Sequence, residues 1–499
     1  MRFNERQDAG QSFANSHVLV VGLAREGTAL ARFLAEKGAR VTVTDSKPAE
    51  ALVDNRAALA GLPVTFALGS HPLELLDGVD ILFVSPGVPL EIPMLVEARQ
   101  RDLPLSSETR LFTRLCPAPI VGITGSSGKT TTTALAGSML KAAGMKTWVG
   151  GNIGFPLIGK LAEIASTDVV VMELSSFQLE FFGSWSEIPL GHLDGPLYSI
   201  EGWSPRISAV LNVTPNHLDR HGTMDAYTAA KARILEYQQP GDMAVMNLDD
   251  PITRDLATSS ARAGQRTLWF SLERGVEEGA FLRGGDLVLR LAGQEKVLCR
   301  TGDLKLLGRH NLANLLAASA LAIGGILTLQ GQAELDSMPI EALGQEATLF
   351  EGVEHRLELV REHRGVRWYN DSIATTPERA VAAIRSFEDP IVLLAGGKDK
   401  RLPWDEMAAL TWRRVRHLVL FGECAELVDR AMAATREPGA ESSTAIHRAG
   451  TLTRAVDLAA ELAQPGDVVL LSPGGTSFDA YRDFVARGVH FRELVRGLE

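Results

Sequence analysis

The stretch "GITGSSGKTTTT", residues 122–133, constrains the fold more than any other part of this chain. It follows an apolar β-run (Ile120, Val121, Ile123) and opens "TTTTALAGSMLKAAG", whose Leu135, Met139 and Leu140 share one helical face. Glycines and free backbone N–H groups at the start of a helix, where the dipole favours anions, make a cradle for phosphate. The usual cradle spaces a Gly, four residues, then Gly-Lys-Ser/Thr. Here Ile123 stands where the first Gly belongs, leaving the short loop Gly125-Ser126-Ser127-Gly128-Lys129-Thr130. Lys129 can reach terminal phosphates from it, and the hydroxyl of Thr130 or Thr131 can hold Mg²⁺. An ordinary turn with a surface lysine is the competing reading; the strand–helix setting favours phosphate.

Around this loop the chain reads as three α/β blocks. "HVLVVG", "RVTVTDS" and "VDILFVSPGV" alternate with helical runs in the first, which implies a parallel sheet with helices on both faces. Two prolines in "RLCPAPIVGITG" mark a boundary, and a third series of strands and helices starts near "FEGVEHRLELV". The expected domains are 1–117, a Rossmann-like domain; 118–345, a central P-loop domain with a parallel sheet; and 346–499, a second Rossmann-like domain. Acidic residues outnumber basic ones 61 to 50 and no long basic run occurs, so nucleic acid is excluded as the main partner. Three scattered cysteines suggest neither disulfides nor a CxxC metal site. The polar N-terminus and the lack of an apolar run of about 20 residues predict a cytoplasmic protein with no membrane partner; a monomer is expected.

Two further stretches are chemically rich: "ELSSFQLE" (173–180) and "NVTPNHLDRHG" (212–222). Glu173 ends a buried strand, where a carboxylate needs a partner or a metal, and a hard cation beside triphosphate takes oxygen ligands. "HLDRH" alone reads equally as a zinc site or a surface turn; beside the phosphate loop and Glu173, a magnesium role for His217 is favoured.

"TGSSGKTTT", "GNIG", "ELSSFQLE", "NVTPNHLDRHGT", "YTAAKARI", "HNLAN", "EHR" and "WYNDS" occur in the order found in the Mur ligases, and the chain resembles that family over nearly its whole length. The short loop fits, because the family uses TGxxGK[ST]. The resemblance implies an ATP-dependent peptide ligase that adds D-glutamate to UDP-N-acetylmuramoyl-L-alanine through an acyl phosphate, with L-glutamate as the alternative acceptor. It also implies that Gly125, Ser126, Ser127, Gly128, Lys129, Thr130 and Thr131 hold ATP, joined by His310, Asn311 and Asn314 at the adenine end and by Arg356 and Asp371 from the third domain. Thr130, Glu173 and His217 would ligate two Mg²⁺ ions. Lys231 matches the lysine that is carbamylated in the family, a carbamate being an anionic oxygen donor where an ammonium is not. Asn152 would contact the muramoyl substrate.

In the first block "VVGLAREG" gives Gly22-x-Ala24-x-x-Gly27, with Asp45 at the end of the next strand. That pattern supports a rival reading, an NAD-dependent oxidoreductase. The Ala24 Cβ would crowd a pyrophosphate, and the phosphate loop would be left unexplained; a P-loop ATPase or kinase is the other rival. By the resemblance, Asp45 and Ser46 face uracil, while Gly22, Leu23, Ala24, Gly27, Ser85, Pro86 and Gly87 line the diphosphate pocket. Departures cluster where the amino acid should bind: the family's "NDSKAT" reads "NDSIATT", so Ile373 replaces a lysine, and "SPACAS" reads "SPGGTS". Thr375, Lys400, Ser477 and Phe484 are the candidates for glutamate, with Lys398 a second possible clamp. The stretch 183–206, with Trp185, Tyr198 and Trp203, is longer than the family's usual connection and is expected to be a surface elaboration rather than a flap.

Overall fold

The computed structural model describes residues 13, 16–152, 156–183, 202–260, 264–306, 308–331, 334–399, 402–436 and 444–499. Lys400, Trp185, Tyr198 and the last two residues of "GNIG" lie outside them. The architecture is α/β and built on three sheets. Two compact units divide the chain: residues 1–304 with 310–349, and residues 305–309 with 350–499.

The first unit carries two sheets. One has five parallel strands in the order Val64–Leu68, Arg40–Asp45, His17–Val21, Ile81–Val84, Leu105–Ser106. Strand order reverses between His17–Val21 and Ile81–Val84, and a doubly wound sheet opens its ligand crevice at such a point. The turns at Gly22 and at Ser85-Pro86-Gly87 leave from those two strands. The second sheet has nine strands: Gln294–Arg300, Asp286–Leu291, Gly279–Arg283, Arg266–Ser271, Met243–Asn247, Ile207–Val210, Ile120–Thr124, Val169–Glu173 and Thr147–Gly151. Its first three strands pair antiparallel as two hairpins and extend a parallel core. Ile120–Thr124 is buried along its whole length between two parallel neighbours, which is why it reads as an apolar run. One apolar cluster runs from Leu30 and Phe112 of the first sheet's layer to Ile158, Met172 and Phe182 of the second's.

The helix Arg309–Gly325 and the π turn that continues it overturn one expectation. Together they make a 22-residue segment long and apolar enough, by composition, to cross a membrane. Leu315 through Ile323 are buried on every side, so the segment is apolar all round because protein surrounds it. The sequence reading missed this run because Arg309, His310 and two asparagines open it.

The second unit holds a six-stranded sheet in the order Glu358–His363, Val366–Asn370, Val468–Gly474, Ile391–Gly396, Val415–Phe421, Ala445–Gly450. All neighbours are parallel except the first pair. Apolar clusters cover both faces, one around Ile384, Leu393 and Met407 and the other around Trp368, Leu394 and Phe491. The "DSIATT", "GGTSF" and "GGK" turns leave the same ends of three adjacent strands.

Candidate active site

The phosphate loop is held open by its own sheet. Gly128 takes φ 82°, a left-handed conformation that suits glycine, immediately before the helix Lys129–Ala142. A Cβ on Gly128 would meet Asn314 Oδ1 at 2.2 Å, so the "HNLAN" helix presses on the loop here. The segment after Ile207–Val210 braces the other side. Ser126 N donates to Asn212 O (3.0 Å), Ser127 N to Asn212 Oδ1 (2.9 Å), and Ser126 Oγ to Thr214 O (2.9 Å). Asn212 and Thr214 belong to the same "NVTPNHLDRHG" motif as His217, and nothing local in the sequence marks them as braces of the loop. Lys129 Nζ donates to its own loop's carbonyls, Gly125 O at 2.8 Å and Ser126 O at 3.3 Å.

Glu173 ends the strand beside the loop and is buried, with both oxygens engaged. Thr130 Oγ1 donates to Oε2 and Asn152 Nδ2 to Oε1, each at 2.8 Å. This brings three candidates together: the first-turn hydroxyl, the strand-end carboxylate and the amide expected at the muramoyl substrate. Arg25 Nη2 donates to Asn152 O at 3.2 Å, tying the "GLAREG" turn of the first sheet to the same point.

Lys231, on the helix Met224–Glu236, is 1% exposed and reaches back to the loop, donating to Gly125 O at 2.9 Å. Burial holds its amine well below the usual lysine range, and the charge of Lys129 beside it pushes the same way. His217 adopts φ 54° at the head of the short helix Leu218–His221 and packs edge-on against Phe177 at 5.0 Å. Among the described residues no three His, Cys, Asp or Glu side chains gather as a metal cage. Mg²⁺ needs none: it keeps several waters and takes one or two carboxylates plus phosphate oxygens. Glu173 with the Thr130 hydroxyl fits that description at the edge of the phosphate loop.

The turns at the first sheet's crevice are tightly built. Gly22 sits at φ 97°, and a Cβ on Gly27 would meet Gly22 O at 1.9 Å. Ser85 Oγ donates to Gly22 O at 3.0 Å, and Arg220 Nη1, from "NHLDRH", donates to Pro86 O at 3.0 Å. Asp45 accepts from the N–H groups of Leu23 (2.7 Å) and Lys47 (2.9 Å), so this carboxylate shapes the turn over which a ligand would lie. Ala24 and Ser46 are exposed, and a Cβ on Gly87 would meet nothing within 4 Å.

A second group that the sequence reading missed joins the first sheet's layer to "ELSSFQLE". Gln178 Nε2 donates to Glu26 Oε1 (2.9 Å) and to Thr109 Oγ1 (3.0 Å). Burial pushes Glu26 up to about 7 and, with the Glu26 charge adding to it, Glu108 up to about 8.

Within the second unit, Asp371 accepts from Ser472 Oγ at 2.8 Å, and burial pushes its carboxyl up to about 7. Ser372 Oγ donates to Phe484 O at 2.8 Å. Ile373 N donates to His355 O at 3.1 Å, which carries Arg356 beside the turn that holds Thr375. Arg487, 0% exposed, bonds Ser372 Oγ and O (3.0 and 2.9 Å), Gly475 O (3.1 Å) and Thr476 O (3.0 Å). It fastens the "DSIATT" and "GGTSF" turns to each other, next to Ser477. No motif pointed to it, since a lone arginine in a C-terminal helix reads as solvated.

With this geometry in hand, comparison with known proteins is decisive. Residues 16–107 match the Mur ligase MurD-like N-terminal domain, 123–322 the Mur ligase middle domain and 355–475 the Mur ligase glutamate ligase domain. A UDP-N-acetylmuramoylalanine–D-glutamate ligase of Symbiobacterium thermophilum is 43% identical over 481 residues, covering 96% of this chain and 97% of that one. The chain belongs to the Mur ligase family. The enzyme of the same name from Acetivibrio thermocellus is 38% identical, covering 99% of this chain and 98% of its own. Among solved structures, the UDP-N-acetylmuramate–alanine ligase of Thermotoga maritima superposes with a TM-score of 0.56 at 17% identity, covering 96% of this chain and 99% of that one. A D-alanyl-D-alanyl-adding ligase of Acinetobacter baumannii gives 0.52 at 16%, covering 98% and 92%. At that identity the likeness speaks for the three-domain Mur ligase fold alone.

Proposed function

We propose that this Mur ligase uses ATP to join D-glutamate to UDP-N-acetylmuramoyl-L-alanine, in the cytoplasm and as a monomer. The observation that carries the reading is the Thr130–Glu173–Asn152 cluster at the mouth of the phosphate loop. It gathers, within one compact unit, a nucleotide cradle, a hard-ion carboxylate and a substrate amide. The D isomer follows from the relatives, each named for D-glutamate and matched over nearly its whole length.

A carboxylate is a poor electrophile and must be activated before an amine attacks it. The γ-phosphoryl group of ATP passes to an oxygen of the L-alanyl carboxylate, releasing ADP and leaving an acyl phosphate. The glutamate amine, deprotonated, adds to the carbonyl carbon, and the tetrahedral adduct expels inorganic phosphate as the amide forms. In such chemistry the protein contributes positioning and charge stabilisation. Lys129 and the N–H groups of residues 125–131 hold the phosphates. Thr130 and Glu173 would hold one Mg²⁺, and His217 with carbamylated Lys231 a second; Mg²⁺ at these residues would supply positive charge beside the phosphates. Asn311, Asn314 and His310 flank adenine, with Arg356 and Asp371 also serving ATP. Gly22 to Gly27, Asp45, Ser46 and Ser85 to Gly87 receive the UDP moiety. Thr375, Lys400, Ser477 and Phe484 receive glutamate.

An ATP-coupled assay with D- and L-glutamate on the same nucleotide sugar tests this reading. ADP release that requires the nucleotide sugar and D-glutamate together is expected. Equal or faster turnover with the L isomer, or release with nucleotide alone, would refute it.

A further inference from the structure

At one charged position the acceptor turn departs from the pattern it resembles: Ile373 stands in "NDSIATT" where that pattern has lysine. An alkyl side chain cannot neutralise an incoming carboxylate, so a dicarboxylate acceptor with Lys400 assigned to one carboxylate needs a second cation for the other. Lys398, one candidate, has its Nζ 3.4 Å from Glu423 Oε2 and its charge already balanced. Arg379 is different. It lies in the first turn of the helix Pro377–Ile384, exposed, and reaches back so that Nη1 donates to the carbonyl of Ile373 at 3.2 Å. Among the described residues no carboxylate pairs with it. A cation in the first turn of a helix gains nothing from the helix dipole. Its field reaches the floor of the turn: Arg356 and Arg379 both draw the Asp371 carboxyl downward, against the larger effect of burial.

We propose that Arg379 supplies the cation absent at position 373 and that its guanidinium binds the side-chain carboxylate of the acceptor amino acid beside Thr375. One N–H holds the Ile373 carbonyl and fixes the fork, leaving further donors for a paired contact with a carboxylate. The proposal rests on the glutamate reading given above.

Steady-state kinetics of the purified full-length chain test it. A hydrogen bond to a charged group contributes about 1.5–3 kcal/mol, so Arg379→Ala is expected to raise the KM for D-glutamate roughly 10- to 100-fold. The KM values for ATP and the nucleotide sugar should stay within about twofold, and the melting temperature should not move. Arg379→Lys should fall between the two. The decisive variant is Ile373→Lys added to Arg379→Ala, which should recover most of the lost affinity by restoring the cation on the neighbouring side chain. An unchanged glutamate KM in Arg379→Ala, or an equal rise in all three KM values, would overturn the proposal. If the unaltered chain showed no glutamate-dependent turnover, the glutamate reading itself would fall, and the proposal with it.

Discussion

Lys231 and Arg487 are both buried cations, 1% and 0% exposed, one in each compact unit, yet they are housed in opposite ways. Lys231 has one close acceptor, Gly125 O at 2.9 Å, and a distant one, Thr124 Oγ1 at 3.5 Å. Arg487 has four acceptors, all within 3.1 Å. The chemistry of the two head groups explains the contrast. Burial penalises charge, and an amine escapes the penalty by releasing its proton. A guanidinium does not: burial brings Arg487 down only to about 10, so it stays charged at neutral pH and its N–H groups must be satisfied. Burial, with the charge of Lys129 adding to it, makes the thinly satisfied Lys231 amine give up its proton more readily than an ordinary lysine does. In the proposed carbamylated state Lys231 would have added to CO₂, exchanging a proton for a carboxylate and becoming an anionic oxygen donor. The fully satisfied arginine is a fastener.

The largest expected effect lies next to Lys231. Lys129→Ala removes the loop's phosphate-binding charge, and product formation should fall about a thousandfold, the upper range for deleting one preorganised donor; a coupled ADP assay reads it. Lys231→Ala should cost about a hundredfold or more, with short carboxylates such as acetate restoring part of the rate and bicarbonate restoring less. Lys231→Arg should be as slow as the alanine variant and should not respond to carboxylates, because its head group stays charged and fills the space. Equal activity of the arginine variant would erase the distinction between the two cations.

On the other side of the comparison, Arg487→Met removes four buried hydrogen bonds and should destabilise its unit by about 3 kcal/mol in urea unfolding. The glutamate KM should rise with it, while the KM for the nucleotide sugar stays put. The smallest effect concerns the buried acids Glu26 and Glu108, raised to about 7 and 8. A carboxyl raised on folding stabilises the protein below its unfolded value, near 4.5, and that contribution is lost as pH climbs through the folded value. Stability should therefore decline between pH 5 and 8 by about 1–3 kcal/mol. Glu108→Gln should flatten the decline, as followed by urea unfolding at each pH.

Most of the phosphate site was legible in the sequence because its parts are local. The Gly-rich loop, its lysine and its threonine are adjacent, and Glu173 ends a run whose burial is written in consecutive Val and Met residues. The buried strands were legible for the same reason, whereas edge strands such as Val64–Leu68 and Ala445–Gly450 mix polar and apolar residues and carry no such run. What stayed hidden is set by contacts distant in sequence. Gln178 meets Glu26 across 152 positions and Arg487 meets Ser372 across 115, and neither pairing leaves a local pattern. The polar first turn of the helix beginning at Arg309 disguises its apolar length. Of the stretch 183–206, expected to be a surface elaboration, only the ends are described: Trp203 N donates to Phe182 O at 3.0 Å and their rings pack edge-on.

The central claim is that triphosphate bound at the head of the helix Lys129–Ala142 activates a substrate carboxylate. UDP-N-acetylmuramoyl-L-alanine labelled with ¹⁸O in both carboxylate oxygens tests it most directly. Turnover with ATP and D-glutamate should deliver one labelled oxygen to each inorganic phosphate and leave the other in the new amide. Unlabelled phosphate alongside amide product would contradict the account.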